Sequence, residues 1–113
     1  RMAERSGLGK AMVHLLPGDE FDSAEALRLN FVQRVVPVGG ELAEALRIAQ
    51  TIAEQAPLAV VATRQSVLSA VEQGPLATMD GFEAIQSRLA NSDDAKEGVR
   101  SFVETRAAKF TGR

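Results

Sequence analysis

Residues 41–56 read ELAEALRIAQTIAEQA and are followed directly by Pro57. Apolar side chains recur in this stretch at the spacing that places them on one face of an α-helix; they are Leu42, Ala45, Leu46, Ala49, Ile52, Ala53 and Ala56. Acidic Glu41 and Glu44 lie in the first turn, where the helix dipole favours negative charge. Pro57 starts a new helix, because proline is tolerated in a first turn but breaks an interior. The sequence therefore predicts two consecutive helices, the second running to about Gln73.

The same periodicity predicts further helices on both sides of this pair. They are expected at residues 7–16, at 23–29, along an apolar stripe at 76–89 that Gly81 weakens, and from Asp94 to about Lys109 or Gly112. Asp22 or Ser23 is expected to cap the helix at 23–29, and Asn30 to end it in the left-handed conformation. Glu97, three residues after Asp94, has the spacing of a capping box at the start of the last helix.

One stretch favours a strand instead. Residues 31–36 contain three valines before Pro37, and β-branched side chains fit a pleated sheet. The predicted fold class is therefore mainly α, with about five to six helices and one short strand.

Composition excludes several classes of protein. The chain has 113 residues, of which 45% are apolar and 25% charged, as in soluble globular domains. A net charge of -2 gives no reason to expect nucleic acid or a membrane surface as a partner. The absence of cysteine excludes disulfides and thiolate metal sites and fits a cytoplasmic protein. Arg1, rather than Met, begins the sequence, which suggests a fragment.

The residues themselves do not predict a self-contained active site. The acidic pairs Asp19/Glu20 and Asp93/Asp94 are expected to be a solvated loop and a helix cap rather than paired acid–base catalysts. His14 has no second ligand at helical spacing, so a packing role is expected and no metal site. The last helix carries basic residues interleaved with Phe102 and Phe110. Such a group can hold an adenine and a phosphate. A simpler explanation is that the two Phe side chains pack in the core and that the helix dipole favours Lys and Arg near its C-terminus.

Four separate blocks nevertheless resemble one family, the enoyl-CoA hydratase/isomerase or crotonase superfamily. The first runs from Gly7 through Ala11-Met12, Leu15-Leu16, Gly18 and Phe21 to Glu25-Ala26-Leu27 and Leu29, and the second is Phe31-Val32-Gln33-Arg34-Val35-Val36-Pro37. The third is Ile52-Ala53, Ala56-Pro57 and Leu58-Ala59, and the fourth is Asp93-Asp94, Lys96-Glu97-Gly98, Phe102, Arg106 and Phe110. The order and spacing match over the whole chain.

This resemblance implies a C-terminal portion of a subunit with the α/β crotonase fold. Residues 1–37 would end the spiral core, and residues 38–113 would form the helical region that makes trimer contacts and covers the coenzyme A pocket. The oxyanion hole and both catalytic glutamates would lie upstream of Arg1, so no catalytic residue is expected here and the fragment alone should be inactive. Partners would be an acyl-CoA substrate, the N-terminal half of the same subunit, and further copies in a homotrimer or dimer of trimers.

The resemblance also assigns two substrate-binding residues. Phe102 matches the aromatic side chain near the adenine. Thr105 stands where some hydratases have Lys, so Lys109, one turn further on, is the expected phosphate contact. Coenzyme A would be part of the substrate, and no separate cofactor or metal is expected. The implied reaction is hydration of a 2-enoyl-CoA in fatty-acid degradation. The alternative is a non-catalytic helical oligomerisation module or a scaffold whose active site has decayed.

Overall fold

The computed structural model describes residues 2–113, and these form eight α-helices. They are α1 (Met2–Ser6), α2 (Leu8–Leu15), α3 (Ser23–Arg28), α4 (Glu41–Ala53), α5 (Pro57–Gln73), α6 (Pro75–Met79), α7 (Phe82–Ala90) and α8 (Asp93–Val103). The mainly helical fold class is confirmed. No helix within residues 2–113 combines the length and the apolar composition that crossing a bilayer requires.

The chain divides into two compact units between Glu44 and Ala45, a boundary that falls within α4. The first unit holds α1 to α3, and the second holds α5 to α8. The division at residue 37 that the family resemblance implies stays a prediction.

Proline sets two helix starts as the sequence indicates. Pro57 and Pro75 occupy the first turns of α5 and α6, where a missing N–H costs nothing because the first N–H groups of a helix have no partner within it. The expected continuous helix at 75–89 is wrong in one respect, because it breaks into α6 and α7 at Asp80-Gly81. Gly81 is the residue that caps α7, which is consistent with the low helix propensity of glycine.

The end of α3 follows the prediction closely. Asp22 caps the helix by accepting a hydrogen bond from the Glu25 N–H at 2.8 Å. Asn30 has φ 61°, in the left-handed region. The N–H groups of Asn30 and Phe31 donate to the carbonyls of Leu27 and Ala26, the paired pattern of a Schellman motif.

The predicted strand at residues 31–36 is wrong for this structure. Within residues 2–113 no strand is present, and residues 31–36 form no regular element. Valine-rich propensity describes how well side chains fit a sheet, and a strand exists only when a second strand supplies the ladder of hydrogen bonds. Since the described chain contains no such partner, the segment stays irregular.

Very little of the apolar surface is buried. Among residues 2–113, the buried apolar side chains are Ala11, Leu29 and Ala62. Twenty-three large apolar side chains of the same residues remain exposed, and they lie on every helix from α2 to α8. Single exposed apolar side chains are common on soluble proteins, but large exposed apolar patches mark interaction surfaces. The helices thus present apolar faces that the described chain does not cover.

Candidate functional site

The chain turns back sharply after α8. This helix ends at Val103, and the predicted extension to Lys109 or Gly112 is wrong. Thr105 has φ 51°, and the N–H groups of Thr105 and Arg106 donate to the carbonyls of Phe102 and Ser101. This is a second Schellman motif, with threonine in the left-handed position that glycine usually takes. Because a β-branched residue rarely adopts positive φ, the pattern gave no sign of the turn.

The start of α8 also differs from the prediction. Ser92 is the capping residue, and its hydroxyl accepts a hydrogen bond from the Ala95 N–H at 3.0 Å. The expected capping box of Asp94 and Glu97 is therefore wrong. Both carboxylates are left to bind groups outside the first turn of the helix.

Asp94 holds the last residues of the chain. Its two oxygens accept hydrogen bonds from the N–H groups of Thr111 and Gly112 at 2.7 and 2.8 Å, and its own N–H donates to the Arg113 carbonyl at 3.1 Å. Asp94 is 3% exposed, so the expectation of a solvated cap is wrong for this residue. Buried carboxylates require such partners, because an unpaired buried charge is strongly destabilising.

Glu97, one turn further along α8, binds the middle of the same segment. It accepts hydrogen bonds from Arg106 at 2.6 and 3.0 Å and from the Lys109 N–H at 2.9 Å. The Arg106 guanidinium and then the Lys109 N–H lower the pKa of Glu97 from 4.5 to about 2. The hydrogen bonds that Arg106 donates to Glu97 and to Glu104 raise the pKa of Arg106. The ion pair is therefore fully formed near neutral pH.

These contacts define residues 106–113 as a strap that runs back along α8. Phe110 belongs to this strap and not to the helix, and its ring lies 3.8 Å from where a side chain at Gly98 would begin. Gly112 has φ 80°, and a Cβ there would lie 3.6 Å from Pro57, the first residue of α5. The strap thus lies against α8 and the start of α5.

The two residues expected to bind substrate lie in different settings. Phe102 is on the last turn of α8 and is 85% exposed. Lys109 is in the strap, where it lines an open pocket of about 370 Å³ together with Asp93, Asp94, Glu97, Arg106 and Thr111. Phe102 does not line this pocket. Three carboxylates against two cations make the pocket a poor phosphate site, because a phosphate would meet net negative charge.

The basic group predicted on the last helix is partly neutralised. Lys96 pairs with Asp93 at 2.9 Å, and Arg106 pairs with Glu97. Arg100 and Lys109 make no side-chain hydrogen bond or ion pair within residues 2–113. Sequence spacing does not show which of these basic residues are paired, because Arg106 reaches Glu97 only through the turn at Thr105.

The first unit contains a smaller polar cluster. The His14 Nε2 atom lies 3.1 Å from a Glu25 oxygen, and the His14 ring meets Phe21 edge-on with centroids 5.2 Å apart. Arg28 also donates to Glu25, and this bond is the largest cause that lowers the pKa of Glu25 to about 2. Such a carboxylate is a weak base at neutral pH. The His14 side chain thus contacts both Glu25 and Phe21. No group of three potential metal ligands occurs within residues 2–113.

A family model described as enoyl-CoA hydratase/isomerase matches residues 1–113. The enoyl-CoA hydratase EchA19 of Mycobacterium tuberculosis is 38% identical over 102 residues, which are 88% of this chain and 37% of that protein. The probable enoyl-CoA hydratase echA8 of Mycobacterium bovis is 35% identical over 117 residues, which cover 100% of this chain and 44% of that protein.

A solved structure is similar over the same range. The crystal structure of a probable enoyl-CoA hydratase/isomerase from Mycobacterium abscessus matches with a TM-score of 0.92 and 42% identity, covering 100% of this chain and 44% of that one. The chain therefore spans less than half the length of the relatives it matches.

Proposed function

The chain belongs to the enoyl-CoA hydratase/isomerase family, and from that premise we propose that it forms the C-terminal part of a crotonase-fold subunit that hydrates 2-enoyl-CoA in fatty-acid degradation. In this proposal the chemistry is performed by residues that precede Arg1, and the chain alone is inactive. Its own part is to complete the subunit and to hold the nucleotide end of the substrate.

The exposure of apolar side chains is the observation that supports this best. Within residues 2–113 only three apolar residues are buried, while 23 large apolar side chains face outward. At about 25 cal/mol per Å² of apolar surface, covering such faces is a large stabilisation that the described chain does not obtain alone. The remaining length of a relative, of which this chain spans 44%, is the natural cover.

The segment at residues 31–36 supports the same proposal. It has the valine-rich composition of a strand but no strand partner within the described residues. We expect it to join a sheet formed by the preceding half of the subunit, because unpaired backbone groups gain hydrogen bonds there.

Phe102 and Lys109 are the proposed contacts to the nucleotide. Phe102 offers a flat, 85% exposed ring on which an adenine can stack. Lys109 has an ammonium group without a partner within residues 2–113, but the surrounding carboxylates weaken its attraction for phosphate. We therefore expect Phe102 to contribute more than Lys109. A homotrimer or a dimer of trimers in the cytoplasm is proposed on the family resemblance.

The test uses the full gene product that contains this chain. Turnover of a short 2-enoyl-CoA is followed by the loss of absorbance of the conjugated thioester, for the wild type and for Phe102→Ala. Loss of one stacked base costs about 1–3 kcal/mol, so KM is expected to rise on the order of tenfold with little change in kcat. Val103→Ala, a neighbouring exposed residue on α8, is the control and should leave KM unchanged.

Two outcomes would contradict the proposal. A full gene product that assembles into a stable oligomer but neither turns over nor binds an acyl-CoA would favour the alternative of a non-catalytic scaffold. Hydration by residues 1–113 alone would disprove the proposed division of labour between this chain and the preceding half.

A further inference from the structure

The strap after α8 is fixed by more polar contacts than its exposed position requires. Four hydrogen bonds join Asp94 to residues 111–113, and three more join Glu97 to Arg106 and Lys109. Six of these seven are accepted by a carboxylate, and charge-assisted hydrogen bonds are shorter and stronger than neutral ones. The two carboxylates, on successive turns of one helix, act as a clamp on the strap.

The clamp contacts the turn that follows Phe102, because Glu97 binds Arg106, which is part of that turn. The Phe102 carbonyl accepts the Thr105 N–H, and the next residue, Arg106, closes the turn on Ser101 while its side chain binds Glu97. An 11-residue helix would fray at its end without such support. Because Arg106 is held at both its backbone and its side chain, the last turn of α8 has one defined geometry.

We propose that Asp94 and Glu97 are positioning residues that hold the Phe102 turn in the geometry that binds the nucleotide end of acyl-CoA. Neither carboxylate touches the substrate in this proposal. Both act through the strap, Asp94 at its far end and Glu97 at its middle. The inference rests on the proposed function and names the residues that make its nucleotide contact possible.

The decisive variant is Asp94→Asn in the full gene product. Each Asp94 oxygen accepts one backbone N–H, from Thr111 and from Gly112. An asparagine keeps one oxygen but replaces the other with an NH₂ donor, which opposes the second N–H. Asp93→Asn is a matched control, because Asp93 is the adjacent carboxylate, its side chain is 70% exposed, and it pairs only with Lys96 within residues 2–113.

Two substrates separate positioning from general destabilisation. KM and kcat are measured with a 2-enoyl-CoA and with the matching 2-enoyl-pantetheine, which lacks the nucleotide. Asp94→Asn is expected to raise KM for the CoA thioester on the order of tenfold, the effect of losing one charge-assisted hydrogen bond. It should leave KM for the pantetheine thioester and kcat for both unchanged. Asp93→Asn, which removes one carboxylate from the pocket around Lys109, should not raise KM for either thioester.

Hydrogen exchange supplies the structural readout. Amides of residues 109–112 should exchange faster in Asp94→Asn than in the wild type and in Asp93→Asn. Should Asp94→Asn fail to fold, Glu97→Gln carries the same test, since Glu97 is less buried than Asp94 and the change weakens the acceptor shared by Arg106 and the Lys109 N–H.

Each result has a defined meaning. An equal rise in KM for both thioesters, no rise for either, or a rise without faster exchange of the strap overturns the positioning role while leaving the proposed function intact. A wild-type protein that turns over neither thioester overturns the proposed function and the positioning role together.

Discussion

Helices α3 and α8 end in the same local turn, yet the chain behaves differently after each. Asn30 and Thr105 both adopt positive φ, and each turn is closed by the same pair of backbone hydrogen bonds. After Asn30 the chain runs irregularly through residues 31–36. After Thr105 it is held against its own helix by Asp94 and Glu97. The turn at a helix end thus sets the direction of the following chain. Whether that chain is held against the helix depends on hydrogen-bond acceptors elsewhere, here Asp94 and Glu97.

The carboxylates of the two helices sharpen the contrast. Glu25 on α3 and Glu97 on α8 both have a pKa of about 2, and an arginine is the first cause in each case. Arg28 is three residues from Glu25 on the same helix, whereas Arg106 lies nine residues beyond Glu97 across a turn. The largest cause of the low pKa is therefore a local pair for Glu25, which His14 of α2 supplements, and a link across a turn for Glu97.

The largest effect is expected for Asp94→Ala. This change leaves the Thr111 and Gly112 N–H groups without their buried acceptor, so the free energy of unfolding should fall by about 3 kcal/mol. The urea midpoint of the full gene product measures it. Asp93→Ala should shift the same value by less than about 0.5 kcal/mol, since it removes only an exposed pair; equal losses would show that the clamp contributes nothing.

Acid should distinguish the two glutamates. A folded pKa of about 2 against the usual 4.5 means that each carboxylate contributes stability above about pH 4.5, which is lost as the pH falls toward 2. Glu97→Gln and Glu25→Gln should both flatten the fall of stability across that window. Only Glu97→Gln should also speed hydrogen exchange of the Lys109 amide at neutral pH; faster exchange in both variants would refute the contrast between local and tertiary pairs.

A smaller effect is expected at the start of α3. Asp22 caps this helix through one hydrogen bond to the Glu25 N–H, so Asp22→Ala should cost about 1 kcal/mol. The same urea titration gives the value, with Asp19→Ala in the preceding loop as a control. If Asp22→Ala lowered the free energy of unfolding as much as Asp94→Ala, burial of the Asp94 carboxylate would not explain the larger expected loss.

The smallest effects concern the turns themselves. Left-handed backbone costs an L-residue about 1–2 kcal/mol, and glycine costs about 0.4–1 kcal/mol through the unfolded chain. Thr105→Gly should therefore raise stability by about 0.5–1 kcal/mol. Asn30→Gly should change it by only a few tenths, because asparagine tolerates this conformation. Thermal unfolding would show the difference, and a destabilised Thr105→Gly would mean that the threonine side chain is needed there.

The parts of the fold that depend on neighbouring residues were predictable. The start of α5 at Pro57, the cap at Asp22 and the turn at Asn30 are confirmed. The family assignment is confirmed as well, because four spaced blocks survive in the sequence. The substrate contacts of Phe102 and Lys109 stay predictions.

Some local features were missed, such as the Ser92 cap and the turn at Thr105, and two further misses depend on partners distant along the chain. Asp94 was expected to be a solvated cap, but its partners lie 17 and 18 residues away. Residues 31–36 were expected to form a strand, but no strand partner exists within residues 2–113. By itself the sequence determined the mainly helical class, the starts of α3 to α5 and the family, since periodicity, proline and capping act locally. Only the tertiary structure decided which carboxylate is buried and which segment is left unpaired, because burial and pairing depend on what meets in space.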